Sequence, residues 1–229
     1  MSKRIVVLTG AGMSAESGIK TFRDNDGLWN NYRVEEVATP EAWAADMELV
    51  LEFYNQRRKQ LFECEPNAAH YALAELQDKH DVRIITQNVD DLHERAGSEQ
   101  VLHLHGELKK ARSVVDPDYV IELQDWELKA GDTCPKGGQL RPHIVWFGEP
   151  VPNITLAAEI ATSAEIIMVI GTSMQVYPAA GLIHYAPVDC MKYYIDPAAR
   201  ESSTVENMTA IRKKAGEGVP ELVRELLSL

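Results

Sequence analysis

Polar side chains that could take part in catalysis follow two predicted strands. The stretch IITQNVDD places Gln87, Asn88 and Asp90 directly after an apolar run, at the edge where a parallel sheet binds its ligand. In the next stretch, VLHLHGEL, His103 and His105 share one face of a predicted strand because side chains alternate with period two. An imidazole at that edge can act as a general base near neutral pH, or it can be a structural ring.

A glycine-rich turn follows the first apolar run, in the sequence IVVLTGAGMSA. The spacing of Gly10, Gly12 and Ala15 satisfies G-x-G-x-x-[G/A], in which amides at a helix N-terminus approach the phosphates of a dinucleotide. A glycine turn chosen only for its geometry satisfies the same pattern. A second turn, IGTS, follows the buried run IIMVI, and its predicted phosphate or ribose contacts are Gly171, Thr172 and Ser173.

The segment after the glycine turn disfavours a simple hydride-transfer enzyme. Such an enzyme places an acidic residue about 20 positions after its glycine loop, at the end of a second strand. Here the corresponding segment, NDGLWNNYR, has no strand character.

Two adjacent arginines fall on the apolar stripe of a predicted helix. Thr39 can cap that helix and Pro40 suits its first position. A helical wheel with about 100° per residue places Arg57 and Arg58 on the stripe. The other members of the stripe are Trp43, Met47, Val50, Leu51, Tyr54 and Leu61. An arginine there either binds a partner or extends to the helix edge.

Six apolar runs, alternating with helical patterns, predict the strands that position these residues. They are residues 5–8, 82–86, 101–105, 144–147, 166–170 and 192–195. The alternation predicts an α/β fold with a doubly wound, Rossmann-like parallel sheet. We expect one domain over residues 1–229, with a Rossmann-like lobe of about 1–23, 64–107 and 144–229. Two insertions, a helical one at about 24–63 and a loop-rich one at about 108–143, build the smaller lobe.

Composition excludes several classes of protein. Of 229 residues, 45% are hydrophobic and 25% charged, which is ordinary for a globular chain. The net charge of -12, with no basic cluster, disfavours nucleic acid as a partner. No apolar stretch is long enough to span a bilayer, and the basic N-terminus lacks a signal peptide's apolar region, so we expect a cytoplasmic protein without a membrane partner. Three widely spaced cysteines fit a reducing compartment.

Five motifs together resemble those of the sirtuins, which are NAD-dependent protein-lysine deacylases. They are GAGMSAESGIKTFRD, TQNVDDLHERAG, LHGEL, RPHIVWFGE and IGTS, in the family's order and approximate spacing along nearly the whole chain. The resemblance implies that NAD is consumed and that acyl-lysine proteins or peptides are the substrates. The implied products are free lysine, nicotinamide and O-acyl-ADP-ribose.

The resemblance also implies a role for individual residues. His105 is the expected base toward a ribose hydroxyl, Asp90 holds the nicotinamide carboxamide, and Asn88 completes the catalytic set. Phe22 and Arg23 belong to a loop that closes over the nicotinamide side. The expected NAD contacts are Gly10, Ala11, Gly12, Ser14, Ala15, Phe22, Arg23, Gln87, Asn88, Val89, Asp90, Gly171, Thr172, Ser173, Asp196 and Ala215. Val145, Phe147 and Gly148 resemble the edge strand that pairs with the substrate peptide.

The segment FYNQRRKQL, which contains the two arginines, resembles that of a sirtuin branch that removes succinyl and malonyl groups. Tyr54 and Arg57 match its Tyr-x-x-Arg pattern, and Ala38 matches the small residue that widens its pocket. Both polar groups share a helical face and can bind one carboxylate. Arg58 is the expected structural arginine, at a more peripheral position.

In two places the chain departs from the family. The second insertion contains Cys134 as its only cysteine, whereas a structural zinc needs four ligands, so we expect no zinc. The lobe would then be held by packing, with Val114, Val115, Tyr119, Ile121, Leu123 and Trp126 as the predicted residues. Asp196 stands where the family commonly has an asparagine, and its carboxylate can still accept the ribose hydroxyls.

Two alternatives to deacylation stay open from the sequence. One is a non-catalytic module that binds NAD or ADP-ribose, and the other is an ADP-ribosyltransferase. Retention of Asn88, Asp90 and His105 favours the enzyme, since a binding module needs no base beside the ribose.

Overall fold

A six-stranded sheet, parallel throughout, forms the centre of the molecule. The computed structural model describes residues 1–19, 32–200 and 205–228. In chain order the strands are β1 (Arg4–Thr9), β2 (Asp81–Thr86), β3 (Val101–His103), β4 (Gly106–Ser113), β5 (Val120–Glu122), β6 (Leu140–Ile144), β7 (Ile166–Ile170), β8 (Met191–Ile195) and β9 (Met208–Ile211). The large sheet has the order β3-β2-β1-β7-β8-β9. This confirms the predicted α/β class and places the reversal of strand order between β1 and β7, where such sheets bind ligands.

The described residues include the helices α1 (Val34–Val37), α2 (Pro40–Ala45), α3 (Met47–Glu63), α4 (Ala68–Leu76), α5 (Leu92–Arg95), α6 (Ile154–Thr162) and α7 (Ala215–Ser228). Of these, α4 and α7 cover one face of the large sheet and α6 packs on the other. Ile5 and Val7 of β1 pack on α4 and α7, while Val6 and Leu8 pack on the opposite side with α6. Burial on both faces explains why these strands are continuous apolar runs.

A second sheet, antiparallel and three-stranded, has the order β5-β4-β6. Its core consists of Leu51, Ala111, Leu128, Cys134 and Leu140, with Tyr119, Ile121 and Leu123 packed against it. Val114 and Val115 are exposed, so their predicted part in this core is wrong. The strand predicted at 144–147 is also wrong, because β6 ends at Ile144 and belongs to this small sheet. The division of the chain into two lobes stays a prediction.

The predicted helix after Thr39 is in fact two helices. Thr39 accepts the amide of Ala42 at 3.0 Å, which confirms the cap. The first helix ends at Ala45, and Asp46 caps the second by accepting the amide of Leu49 at 2.9 Å. Arg57 and Arg58 are both buried on this second helix, α3, so neither extends to the helix edge.

Among the described residues, no helix is both long and apolar enough to cross a membrane.

Candidate active site

The two glycine turns pack backbone against backbone at the reversal point. Gly10 donates its amide to the carbonyl of Ile170 at 3.0 Å, and Gly12 donates to that of Gly171 at 2.8 Å. A β-carbon on Gly12 would lie 2.7 Å from the α-carbon of Gly171, too close for any side chain. The turn after β1 forms short 3-10 helices at Ala11–Met13 and Ala15–Ser17, so the expected α-helix N-terminus is absent from this turn. The glycines are therefore needed for the close packing of the two turns, and binding of a dinucleotide phosphate at this edge of the sheet stays a prediction.

A buried polar cluster lies beside the first glycine turn. Asn88 donates its side-chain amide to Ser14 Oγ at 3.0 Å. Burial raises the pKa of Asp90, while hydrogen bonds from Ser14 and from the amide of Leu92 oppose that rise. Ser14, Asn88 and Asp90, three predicted site residues, thus meet in one buried group.

One ring nitrogen of His105 has no hydrogen-bond partner among the described residues. Its Nδ1 lies 3.0 Å from the carbonyl oxygen of Gln87. A carbonyl only accepts, so Nδ1 carries the proton and Nε2 of the neutral ring has a lone pair. Burial lowers the pKa of His105, only partly offset by that hydrogen bond, so the ring stays neutral at physiological pH. Gln87 also donates its side chain to Thr172 Oγ1 at 3.3 Å, which links it to the second turn.

The hydrogen-bond partners of His103 favour a protonated ring, whereas His105 is neutral. Its Nδ1 lies 3.1 Å from the carbonyl of Asn88 and its Nε2 lies 2.8 Å from the carboxylate of Glu94. Burial lowers the pKa of His103, but the hydrogen bond and charge of Glu94 outweigh it and raise the pKa overall. Both ring nitrogens of His103 face acceptors, which favours the protonated ring and fixes it on the backbone of Asn88, while His105 is the ring suited to accept a proton.

A hydrogen-bond network beside the glycine turns was not predicted from the sequence. Asn88 donates its amide to Thr86 Oγ1 at 3.0 Å, and Thr86 bonds to Thr9 Oγ1 at 2.8 Å. Thr9 in turn lies 3.1 Å from Nε2 of His93, whose ring stacks edge-on against His70 at 4.9 Å. Burial lowers the pKa of His70 to about 4, so the buried pair is uncharged. Only the positions of the two threonines, at the last residues of β1 and β2, could have indicated this network.

Tyr54 and Arg57 form a polar end to an otherwise apolar cluster. Tyr54 is fully buried and Arg57 is 8% exposed. Burial lowers the pKa of Arg57 to about 10, and the charges of Tyr54 and Asp90 oppose that effect. Arg57 therefore remains a cation at neutral pH, with Asp90 within its electrostatic reach. Ala38 packs in the same cluster as Tyr54.

Arg58 has a structural environment, but it is not peripheral as expected. It is fully buried, and its Nε donates to the carbonyl of Leu108 at 2.5 Å. One terminal nitrogen donates to Asn55 Oδ1 at 2.9 Å and to the carbonyl of Trp126 at 2.6 Å. Arg58 thus ties α3 to β4 and to the loop that follows β5.

Trp146 and its neighbours line this cluster and were not singled out from the sequence. The Trp146 indole nitrogen donates to Tyr54 Oη at 3.0 Å. The Arg141 guanidinium carbon lies 3.3 Å from the centroid of the Trp146 ring. Glu149 binds two nitrogens of Arg141, at 2.8 and 3.0 Å, and accepts the Trp146 amide at 2.8 Å. All three residues lie in the motif RPHIVWFGE, and that motif is the sequence feature that could have indicated them.

The segment expected to pair with a peptide is attached to the site by its backbone. Val145 donates its amide to the carbonyl of His105 at 2.9 Å, and Phe147 donates to that of Ala38 at 3.0 Å. Phe147 is exposed and Gly148 has a φ of 89°. The pairing of this segment with a substrate stays a prediction.

The remaining expected NAD contacts lie around the same edge of the sheet. Asp196 is buried and accepts the amide of Ala198 at 2.8 Å. Ala215 begins α7, and the next residue, Gly216, donates its amide to Glu16 Oε2 at 2.7 Å. Val89 packs against the cluster that contains Tyr54, and Ser173 follows the second glycine turn. Phe22 and Arg23 lie outside the described residues.

The region of the expected zinc module contains no suitable ligand group in the described part of the chain. Among those residues, no three His, Cys, Asp or Glu side chains come together as a metal site. Cys134 instead accepts a hydrogen bond from Ser113 Oγ at 3.2 Å, and Ser113 accepts the amides of Val115 and Asp116. These residues do not fit a structural zinc, and the expectation that none is bound stays a prediction.

Comparison with known proteins gives consistent matches. A model of the Sir2 family matches residues 10–178. A Bacteroides thetaiotaomicron protein named NAD-dependent protein deacylase is 54% identical over 230 residues, covering 98% of both chains. A Helicobacter pylori protein of the same name is 52% identical over 227 residues, covering 99% of both.

Solved structures agree with these sequence matches. A mutant Sir2 homologue in complex with ADP-ribose superimposes with a TM-score of 0.89 at 44% identity, covering 100% of this chain and 94% of that one. A complex of a Sir2 homologue with NAD has a TM-score of 0.87 at 43% identity, covering 99% and 90%.

Proposed function

The chain belongs to the Sir2 family, and on that premise we propose that it is an NAD-dependent protein-lysine deacylase that favours succinyl and malonyl groups and also removes acetyl. Relatives more than 50% identical over nearly the whole chain bear the deacylase name, and they support the reaction. The preference for an acidic acyl group rests on the residues of this chain.

One observation carries that preference: a buried cation and a buried phenol lie one helical turn apart. Arg57 stays charged, and Tyr54 keeps its proton because burial raises its pKa. A carboxylate at this end of the pocket would accept from both groups. An acetyl group offers these two donors no carboxylate oxygen as an acceptor.

The expected size of the preference follows from hydrogen-bond energies. A hydrogen bond to a charged group contributes about 1.5 to 3 kcal/mol, equivalent to roughly ten- to a hundred-fold in rate. We therefore expect succinyl-lysine to be favoured over acetyl-lysine by about that factor in kcat/KM.

The glycine turns support NAD as the second substrate. We place the phosphates beside the two closely packed glycine turns, with Ser14, Asn88 and Asp90 toward the nicotinamide and Asp196 toward the other ribose. When bound, NAD supplies an ADP-ribosyl group to the acyl oxygen as nicotinamide leaves. We assign His105 Nε2 as the acceptor of the ribose hydroxyl proton, since Nδ1 is held by Gln87. His103 and Glu94 hold the backbone of Asn88 in place during this step.

Matched peptides test the proposal. The purified chain is incubated with NAD and with acetyl-, malonyl- or succinyl-lysine versions of one peptide, and nicotinamide and free lysine product are both measured. Equal amounts of the two products, greatest with the acidic groups, are expected. Nicotinamide without free lysine would indicate ADP-ribosyl transfer or NAD hydrolysis, and absence of both products would indicate a binding module.

Two variants separate the reaction from its specificity. His105→Ala should abolish turnover with every acyl group. Arg57→Met should lower succinyl kcat/KM by about ten- to a hundred-fold and lower acetyl kcat/KM much less. Gln56→Met is the matched control, because Gln56 is the preceding residue on the exposed face of α3. Equal losses on both substrates in Arg57→Met would refute the acidic pocket.

A further inference from the structure

The hydrogen bond between Trp146 and Tyr54 fixes the direction of the phenol proton. An indole N–H can only donate, so at 3.0 Å it makes the phenol oxygen an acceptor. The one proton on that oxygen is then directed away from the indole. We propose that Trp146 is a positioning residue for acyl specificity, which turns the Tyr54 O–H toward the carboxylate of the substrate. This inference rests on the function proposed above.

The surroundings of Trp146 keep its ring in one orientation. Arg141 lies on one ring face at 3.3 Å, and Trp43 packs at 5.7 Å between centroids. Glu149 holds both the Arg141 side chain and the Trp146 amide. Since Trp146 is 2% exposed, its indole N–H has no access to water as a competing acceptor.

The same segment joins the two ends of the acyl site. The residues on either side of Trp146 donate their amides to the carbonyls of His105 and Ala38. Trp146 thus donates to Tyr54 from a backbone segment that is itself bonded to His105, the expected base. A substrate peptide that binds along residues 145–148 would therefore contact the same segment that orients the phenol.

Without the indole N–H, the phenol proton can rotate between two in-plane directions. In only one of them does the O–H point toward the substrate carboxylate. We expect Trp146→Phe, which keeps an aromatic ring, to lower the ratio of succinyl to acetyl kcat/KM by roughly 2- to 10-fold, the equivalent of one neutral hydrogen bond. Most of the loss should be in succinyl KM and not in kcat, since His105 is untouched. Trp126→Phe is the control, because the Trp126 ring packs against the Lys59 ammonium at 5.1 Å and its replacement should leave the ratio unchanged.

A double-mutant cycle distinguishes positioning from a general structural effect. In a Tyr54→Phe background, Trp146→Phe should change the ratio no further, because the group it acts through is gone. A further drop in that background would overturn the inference. Both substrates are measured on one preparation, so any loss of folded protein cancels in the ratio.

A measurement on the unmodified chain covers the case in which Trp146→Phe does not fold. The indole 1H–15N resonance of Trp146, assigned by replacing the other tryptophans singly, should move on binding a succinyl-lysine peptide and not an acetyl-lysine peptide. Equal movement with both peptides would overturn the inference. The proposed preference for acidic acyl groups fails if the wild-type chain shows no such preference and Arg57→Met lowers succinyl and acetyl activity equally. Only the role of Trp146 fails if Arg57→Met lowers succinyl activity selectively and the effects of Tyr54→Phe and Trp146→Phe are additive.

Discussion

Replacing Arg58 with methionine tests whether the two adjacent arginines of α3 differ in role. Methionine keeps an unbranched stem and removes the guanidinium. Three hydrogen bonds from that group are lost, to Leu108, Asn55 and Trp126. Hydrogen bonds to a charged group contribute about 1.5 to 3 kcal/mol each, so the gross loss is roughly 5 to 9 kcal/mol.

Part of that loss is offset because the buried charge is removed as well. Burial lowers the pKa of Arg58 to about 10, and that shift from its ordinary value is worth about 3 kcal/mol. The net destabilisation is then roughly 2 to 6 kcal/mol. For a chain of this size each kcal/mol lowers Tm by about 2 to 4 °C, so a fall of at least about 4 °C is expected.

Thermal unfolding of Arg58→Met and Arg57→Met, side by side, supplies the test. Arg58→Met should unfold at the lower temperature and keep the wild-type ratio of succinyl to acetyl activity. Arg57→Met should show the reverse pattern. A Tm for Arg58→Met within 2 °C of wild type, or a selective loss of succinyl activity in that variant, would refute the reasoning.

Four further outcomes are expected. The acid limb of kcat/KM should lie below pH 6.5, because burial lowers the pKa of His105 and keeps its ring neutral there; a limb above pH 7 would contradict this. Stability should fall by roughly 2 kcal/mol between pH 7 and pH 5 on account of His70, because the unfolded ring takes up a proton near 6.5 and the folded ring only near 4; urea unfolding of His70→Asn should show a flatter dependence, and an unchanged slope would disprove it. Gly12→Ala should raise KM for NAD roughly ten-fold or more, because its β-carbon would meet the Gly171 backbone at 2.7 Å and separate the two turns, whereas Gly131→Ala, which strains a left-handed backbone (φ 94°) in the loop before β6, should lower stability and leave KM for NAD unchanged; equal KM values in the two variants would count against an NAD site at the glycine turns. A strong zinc chelator should leave Tm unchanged within error, and elemental analysis should find less than a tenth of a zinc ion per chain; one bound zinc would show that the expected absence is wrong.

The strands that position the site were predictable because they are buried on both faces. In a chain where strands alternate with helices, a short continuous apolar run such as 166–170 predicts a fully buried strand. This run coincides with β7. The edge strand β9, Met208–Ile211, was not predicted, because it is short and only partly buried. The end of α2 was missed because Asp46 interrupts an apolar pattern that continues on both sides of it.

The site was predictable as a set of positions and not as a set of contacts. Residues that follow strand ends must gather at one edge of a parallel sheet, which is why Gln87 and His105 could be named together. The Trp146 to Tyr54 bond joins residues 92 positions apart, and no local pattern specifies it. The pKa of His103 is raised and that of His105 lowered because Glu94 bonds to His103 alone, and no local pattern specifies that contact.

A crystal structure of the chain with a succinyl-lysine peptide and an unreactive NAD analogue tests the central claim most directly. The account predicts the succinyl carboxylate within hydrogen-bonding distance of both the Tyr54 hydroxyl and the Arg57 guanidinium, with His105 Nε2 facing the ribose. A carboxylate directed to solvent, or an Arg57 side chain turned away from it, would contradict the account.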